Sequence, residues 1–288
     1  MIITKLIGGL GNQMFQYATG RLLAYKNKAV LKLDLSAYDN QSGITQRQYE
    51  LSPFNVQQNF SNQIDNKIIC GPEKKGLLGK IFRKLPDSFY KSNYIKEKGH
   101  NFNSSILDLN NNVYLDGYWQ SEKYFSDISD IIRSEFTLKN NSLDPSLLQE
   151  IINKNSVSLH IRRGDYVFNP VTNRFHGVCT LDYYKRAIDF IEERFEDLTF
   201  YIFSDDLNWC KENLKINHPT FFVEGNKNYE DLILMSHCKY NIIANSSFSW
   251  WGAWLNNNPG KIVIAPEQWF ADKSVDTDDL IPESWIKI

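Results

Sequence analysis

Five apolar runs of strand length punctuate the second half of this 288-residue sequence: Val157–Ile161, Thr199–Phe203, Thr220–Val223, Tyr240–Ala244 and Ile262–Ala265. Helical patterns lie between them, clearest over Leu181–Phe195 and Tyr229–Ser236, and Pro145–Ile152 reads as the helix that enters the series. A near-continuous apolar strand must be covered on both faces, and alternating helices supply that cover. The carboxyl half is therefore expected to be an α/β unit with a parallel sheet.

The opening residues follow the same logic. Ile2–Ile7 is an apolar run ending in the glycine turn Gly8-Gly9-Leu10-Gly11, Asn12 is placed to cap a helix, and Met14, Ala18, Leu22 and Tyr25 recur at helical spacing. Ala29–Leu35 reads as the next strand, which completes a βαβ unit. Residues 39–112, rich in Asn, Gln, Ser and Lys, predict irregular structure with some helix. Val113–Trp119 predicts a strand and Ser121–Phe136 a helix. The polar break Asn140-Asn141-Ser142 sets the boundary between domains 1–141 and 142–288, two Rossmann-type α/β halves expected to face a cleft.

Composition narrows the function. A formal net charge of -2 is unlike the strongly basic footprint of a nucleic-acid binder, so no nucleic-acid partner is expected. Cys70, Cys179, Cys210 and Cys238 form no CxxC pair, and with five His they read as reduced thiols rather than a zinc site. The first residues show no charged leader ahead of an apolar stretch, and no apolar run approaches the roughly 20 residues that cross a bilayer. A cytoplasmic protein is expected. The interleaved basic cluster Lys74, Lys75, Lys80, Arg83 and Lys84 reads as a solvated loop, with peripheral contact at an anionic inner membrane face as its alternative.

Four motifs carry chemistry. His160-Ile161-Arg162-Arg163-Gly164-Asp165 stands at the carboxyl end of a predicted strand, where open α/β sheets bind ligands. Adjacent guanidiniums there need an anionic partner, and a diphosphate matches their forked geometry; an ion pair between an arginine and Asp165 is the alternative. Asn245-Ser246-Ser247 begins a helix after another strand and offers amide and hydroxyl donors to an anion, or an ordinary N-cap. Asp205 and Asp206 follow a third strand, placed either to accept hydrogen bonds from guanine or ribose or to cap a helix. Gly9 and Gly11 partly match a dinucleotide fingerprint, with Asp34 in the position of a ribose-binding acid, but Met14 occupies the third glycine position. Asn12 and Gln13 are expected to point into the cleft between the halves. Asp276-Thr277-Asp278 has the DxD spelling of metal-dependent transferases but no strand before it, and no metal site is assigned.

Taken together, Gly8–Ala18 (GGLGNQMFQYA), Gly117–Phe125 (GYWQSEKYF), His160–Tyr166 (HIRRGDY), Phe203–Asp206 (FSDD) and Asn245–Leu255 (NSSFSWWGAWL) resemble the α-1,2-fucosyltransferases of glycosyltransferase family 11 across nearly the whole chain. The HxRRxD core and glycine turn are also similar to motifs of α-1,6- and protein O-fucosyltransferases. The resemblance implies a GT-B-like pair of domains, acceptor-side at 1–141 and donor-side at 142–288, and GDP-fucose as co-substrate. It also implies inversion at the anomeric carbon, no cofactor or metal, and a galactose-terminated glycan acceptor, free or lipid-linked. Carried over by motif, Arg162 would hold the β-phosphate, with His160 and Arg163 shaping the GDP pocket. Asp205 or Asp206 would take guanine, Asn245, Ser246 and Ser247 would surround phosphate, and Asn12 would lie near fucose or acceptor. Asp165 is the candidate general base by sequence proximity, with Asp116 as the alternative.

Overall fold

The computed structural model describes residues 1–39, 41, 46–70, 93–140 and 142–288, the side chains of Cys70 and Asp165 excepted. The basic cluster at 74–84 lies outside the described residues. The chain divides into two compact units, Met1–Lys139 and Asn140–Ile288.

In the amino-terminal unit, strands β1 (Ile2–Lys5), β2 (Leu31–Asp34), β3 (Tyr94–Lys96) and β4 (Val113–Asp116) form a parallel sheet in the order β2-β1-β4-β3. The helix Leu10–Lys26 joins β1 to β2 and is buried almost all round through Ala24, so its face is wider than the expected stripe; Tyr25 is exposed. Its N-cap is Gly9, not Asn12, which falls in the first turn. Two predicted elements are shorter than their apolar patterns. The strand from Val113 stops at Asp116, where Gly117 begins a turn, and residues 121–136 break into short 3-10 turns before the helix Ser129–Glu135.

The carboxyl-terminal unit carries β5 (Asn155–Ile161), β6 (Leu198–Ser204), β7 (Thr220–Phe222), β8 (Tyr240–Ile242), β9 (Ile262–Ala265) and β10 (Ile286–Lys287), all parallel, in the order β10-β9-β8-β5-β6-β7. Counted within the unit, this is the Rossmann order 3-2-1-4-5-6. Its strands run outward in opposite directions from β5 and β8, and a doubly wound sheet binds its ligand at the carboxyl ends of that adjacent pair. The parallel α/β expectation therefore holds in this half, and β10, too short and polar to read from sequence, adds a sixth strand.

The helices Asn228–His237 and Ser247–Leu255 pack closely because Gly252 has no side chain. A Cβ there would stand 3.0 Å from Met235 Cβ. Gly252→Leu is expected to lower stability by about 1–3 kcal/mol through overpacking, more than the roughly 1 kcal/mol a helix gains on losing a glycine. Gly260→Ala, which meets nothing within 4 Å, should be neutral. Urea midpoints of the two variants check this. No helix among the described residues is long and apolar enough to cross a membrane.

Candidate active site

The switch point of the carboxyl-terminal unit is built by register. In the parallel β5–β6 ladder His160 pairs with Phe203 and Ile161 with Ser204. One residue beyond the strands, Arg162 therefore comes beside Asp205, and Arg163 beside Asp206. Their side chains meet: Arg162 Nη1 lies 3.0 Å from Asp205 Oδ2, and Arg163 Nε 3.0 Å from Asp206 Oδ2. Asp205 Oδ1 also accepts from the Arg163 backbone N–H at 2.8 Å. A Cβ on Gly164 would collide with the Asp205 carboxylate, so a side chain there would push Asp205 from its place beside Arg162.

Asp206 additionally caps the helix Leu207–Asn213 by accepting from the Trp209 N–H at 3.2 Å. The cap brings Trp209 under Arg163, whose guanidinium carbon stands 3.9 Å from a ring centroid. Arg163 is thereby held by a carboxylate and an aromatic face, a fixed geometry for a cation. Arg162 lies 5.5 Å from the Tyr166 ring centroid. Tyr166 in turn stacks on His176, with centroids 4.6 Å apart. The partners of the arginine pair are thus Asp205 and Asp206, joined by strand pairing; the side chain of Asp165 lies outside the described residues. The helix-cap alternative holds for Asp206, and the pairing of both aspartates with arginines is an arrangement the sequence alternatives did not include. Trp209 and Tyr166 were missed by sequence reading; for Trp209 the signal was its position three residues after a capping aspartate.

His160, on β5, is buried, with its ring 5.4 Å from that of Phe248 and its Nδ1 without a hydrogen-bond partner among the described residues. Burial, and then the charge of Arg162, push its pKa down to about 3, so the imidazole is neutral at physiological pH.

On the other side of β5, β8 leads into Ala244-Asn245-Ser246 and the helix Ser247–Leu255. Asn245 proves to be a clamp. Its Nδ2 donates to the carbonyls of His176 at 2.9 Å and Trp269 at 3.1 Å, and its Oδ1 accepts from Cys179 Sγ at 3.4 Å. This commits a side chain that the motif had suggested as a ligand donor to holding neighbouring loops. Ser246 is the N-cap but makes no side-chain cap bond, and Ser247 is the first helical residue. The first turn's N–H groups are set at the switch point in the orientation that suits an anion.

Gly9, Gly11 and Asn12 form a group of their own in the amino-terminal unit. Gly11 is buried in the first helical turn, and Asn12 Oδ1 accepts from Gln120 Nε2 at 2.8 Å. Gln13, expected to point into a cleft, is instead fully buried: it donates to the carbonyls of Gly8 and Gln48 and accepts from the Glu50 N–H, fixing the glycine turn. Asp34 accepts from the Ser36 N–H, Asn66 and Tyr114, so its carboxylate serves the unit's interior rather than a ribose.

The carboxyl-terminal unit thus has the doubly wound α/β order, with an anchored guanidinium pair and a helix N-terminus at its switch point. The comparison with known proteins is more specific. The model of glycosyl transferase family 11 matches residues 1–288, and the chain belongs to that family. An alpha-1,2-colitosyltransferase of Escherichia coli is 38% identical over 100% of this chain and 99% of its own. The O-antigen biosynthesis glycosyltransferase WbnK of Escherichia coli is 38% identical over 98% of this chain and 99% of its own. Galactoside alpha-(1,2)-fucosyltransferase 1 of Rattus norvegicus is 28% identical over 49% of this chain and 41% of its own. The protein is a glycosyltransferase, and the nicotinamide alternative suggested by the glycine turn falls with the commitment of Asp34.

The neutral state of His160 has a consequence for stability. Below pH 6.5 the unfolded chain takes up a proton that the folded site refuses until about pH 3, so stability falls as pH drops through that window. Chemical denaturation at stepped pH should show a shallower acid loss in His160→Phe than in the wild type.

Proposed function

We propose that the enzyme transfers L-fucose from GDP-fucose to a galactose O2 of a glycan acceptor, with inversion, forming an α-1,2 linkage. The observation that carries this reading is the guanidinium pair oriented by Asp205 and Asp206 at the switch point, a set of directed N–H donors matched to the oxygens of a diphosphate.

The roles follow from charge. As C1–O breaks in an oxocarbenium-like displacement, negative charge accumulates on the β-phosphate of GDP. Arg162, already oriented by Asp205, and the N–H groups at Ser247 and the following residues stabilise that charge without reorganising. Arg163, braced by Asp206 and Trp209, shapes the pocket floor. The neutral His160 adds no charge beside Arg162 and offers a ring nitrogen to the donor. Gly9 allows close backbone approach, whereas Gly11 is buried within the helix, and Asn12 contacts fucose or acceptor. The chemistry is assigned to side chains and backbone alone, without metal or cofactor. Unchanged turnover in EDTA supports that assignment, and loss restored by a divalent cation overturns it. The acceptor is a galactose-terminated glycan, free or carried on a lipid at the cytoplasmic face of a membrane.

A second donor is favoured by one observation, the colitosyltransferase aligned over the whole chain. Colitose is fucose without its 3-hydroxyl, so the phosphate grip is the same for both. Competition between GDP-fucose and GDP-colitose, with GDP-mannose as a control, ranks the donors. Arg162→Ala should reduce turnover about 10²–10³-fold, the usual loss on deleting one preorganised charge stabiliser, with the thermal midpoint retained. Turnover near that of the wild type would refute the assignment.

A further inference from the structure

In the carboxyl-terminal unit, the chain that leaves β5 does not run straight to its next long helix. It first folds into two short helices, Gly164–Phe168 and Pro170–His176, the first beginning directly after the arginine pair. Local bonds build this excursion. The Val167 N–H bonds the Arg163 carbonyl at 2.9 Å. Asn169 caps the second helix by accepting from the N–H groups of Val171 and Thr172, and Pro170 is its first residue. Asn173 Nδ2 reaches back to the Tyr166 carbonyl at 2.5 Å and locks one helix to the other. Gly177, with a φ of 65°, ends the second helix. The last carbonyls of that helix are taken by two other strand ends. Ala271, in the segment after β9, donates its N–H to the carbonyls of Phe175 and His176 at 3.0 and 3.2 Å. Asn245, after β8, donates to the His176 carbonyl as well. The ends of β5, β8 and β9 are thus tied together at His176.

This scaffold holds a ring stack that ends on Arg162. The His176 imidazole meets Phe175 edge-on at 4.9 Å and lies 5.4 Å from the Phe270 ring. Its face is stacked on Tyr166, with the two planes 13° apart. The Tyr166 ring in turn stands 5.5 Å from the guanidinium carbon of Arg162, within the reach of a cation–π contact. Asp205 holds Nη1 of the same guanidinium. A carboxylate at one nitrogen fixes a distance but leaves the guanidinium plane free to swing about that contact. A ring against the plane removes the remaining freedom. Arg163 receives the same pair of contacts from Asp206 and Trp209. Each arginine therefore has a carboxylate and a ring, the rings arriving from the ends of different strands. Tyr166 is partly exposed, so the demands of the core do not account for its ring.

Resting on the fucosyl-transfer reading, we infer that Tyr166 is a positioning residue for the reaction. Its ring holds the Arg162 guanidinium in the orientation that meets charge developing on the β-phosphate. His176 and Asn245 act through it, His176 by backing the ring and Asn245 by fixing the backbone of His176. The role requires none of the three to touch the donor. Orientation lost at Arg162 costs transition-state stabilisation, while binding of the nucleoside end of the donor is left as it was.

The test is a double-mutant cycle on kcat with GDP-fucose and a galactoside panel, comparing the wild type, Tyr166→Leu, Arg162→Ala and the double variant. Tyr166→Leu should lower kcat about 3–30-fold, the range spanned by a cation over an aromatic face, and leave GMP affinity unchanged. Added to Arg162→Ala it should lower kcat no further, because the ring acts only through that guanidinium. Tyr166→Phe, which keeps the ring, should restore most of the loss. An unchanged kcat in Tyr166→Leu, or a loss of the same size with and without Arg162, overturns the inference. So does a matching fall in GMP affinity, the signature of a residue that only holds its loop. A loss as large in Tyr166→Phe as in Tyr166→Leu overturns the role of the ring. If Tyr166→Leu does not fold, His176→Leu decides: a loss of kcat that vanishes in the Arg162→Ala background supports the stack, and a loss that persists there, or no loss, overturns it. A wild type that transfers no fucose to any galactoside, or wild-type kcat in Arg162→Ala, defeats the parent reading instead.

Discussion

Two arginines at the mouth of an apolar strand would repel each other and resist burial, and the fold answers with two aspartates delivered in register from the next strand. The Arg162–Asp205 and Arg163–Asp206 pairs are continuations of the β5–β6 ladder past its last backbone pairing. Because the ladder is parallel, both ends emerge on the same edge of the sheet, and the charges neutralise each other there. Only about a quarter of each side chain in the Arg162–Asp205 pair is exposed. The value of such a pair lies less in stability than in orientation. A guanidinium already aimed by a carboxylate pays no rotamer entropy when charge develops on a ligand.

The remaining features of the carboxyl-terminal unit support that orientation. Neutral His160 keeps a third positive charge away from the pair, and it stays neutral because burial and Arg162 both oppose protonation. Asn245 ties the loops at His176 and Trp269 to the end of β8. The helix after it is fastened by Trp250, Trp251 and Trp254, all buried, with Trp250 Nε1 donating to the Leu280 carbonyl at 2.9 Å. That helix cannot tilt without opening an aromatic core, so its first-turn amides hold a fixed direction. The amino-terminal unit fixes its own turns by the same means, with Gln13 and Glu97 serving as surrogate strand partners for irregular backbone, Glu97 by accepting from the Tyr118 and Trp119 N–H groups.

The sequence was most legible where burial dictates pattern. The five apolar runs became five parallel strands; four of them are largely buried, where a covered strand has little choice but to be apolar, and the edge strand β7 leaves Phe221 exposed. The glycine turn, the RRGD segment and the serine-led helix were also readable as motifs. What could not be read was pairing. That Arg162 answers Asp205 depends on a register between residues more than forty positions apart, and no local pattern encodes it. Gln13 was expected to point into a cleft, yet its polar groups are used on Gly8, Gln48 and Glu50. Glu97 sat in a stretch without periodicity, and its partners become visible only when β3 lies beside β4.

The central claim is that Arg162 grips the β-phosphate of the donor nucleotide. Calorimetric titration of GDP and GMP into the wild type and Arg162→Met tests it directly, since the two nucleotides differ only in that phosphate. The account predicts that the wild type binds GDP much more tightly than GMP and that the preference collapses in Arg162→Met with GMP affinity preserved. Equal affinities for GDP and GMP in the wild type would contradict it.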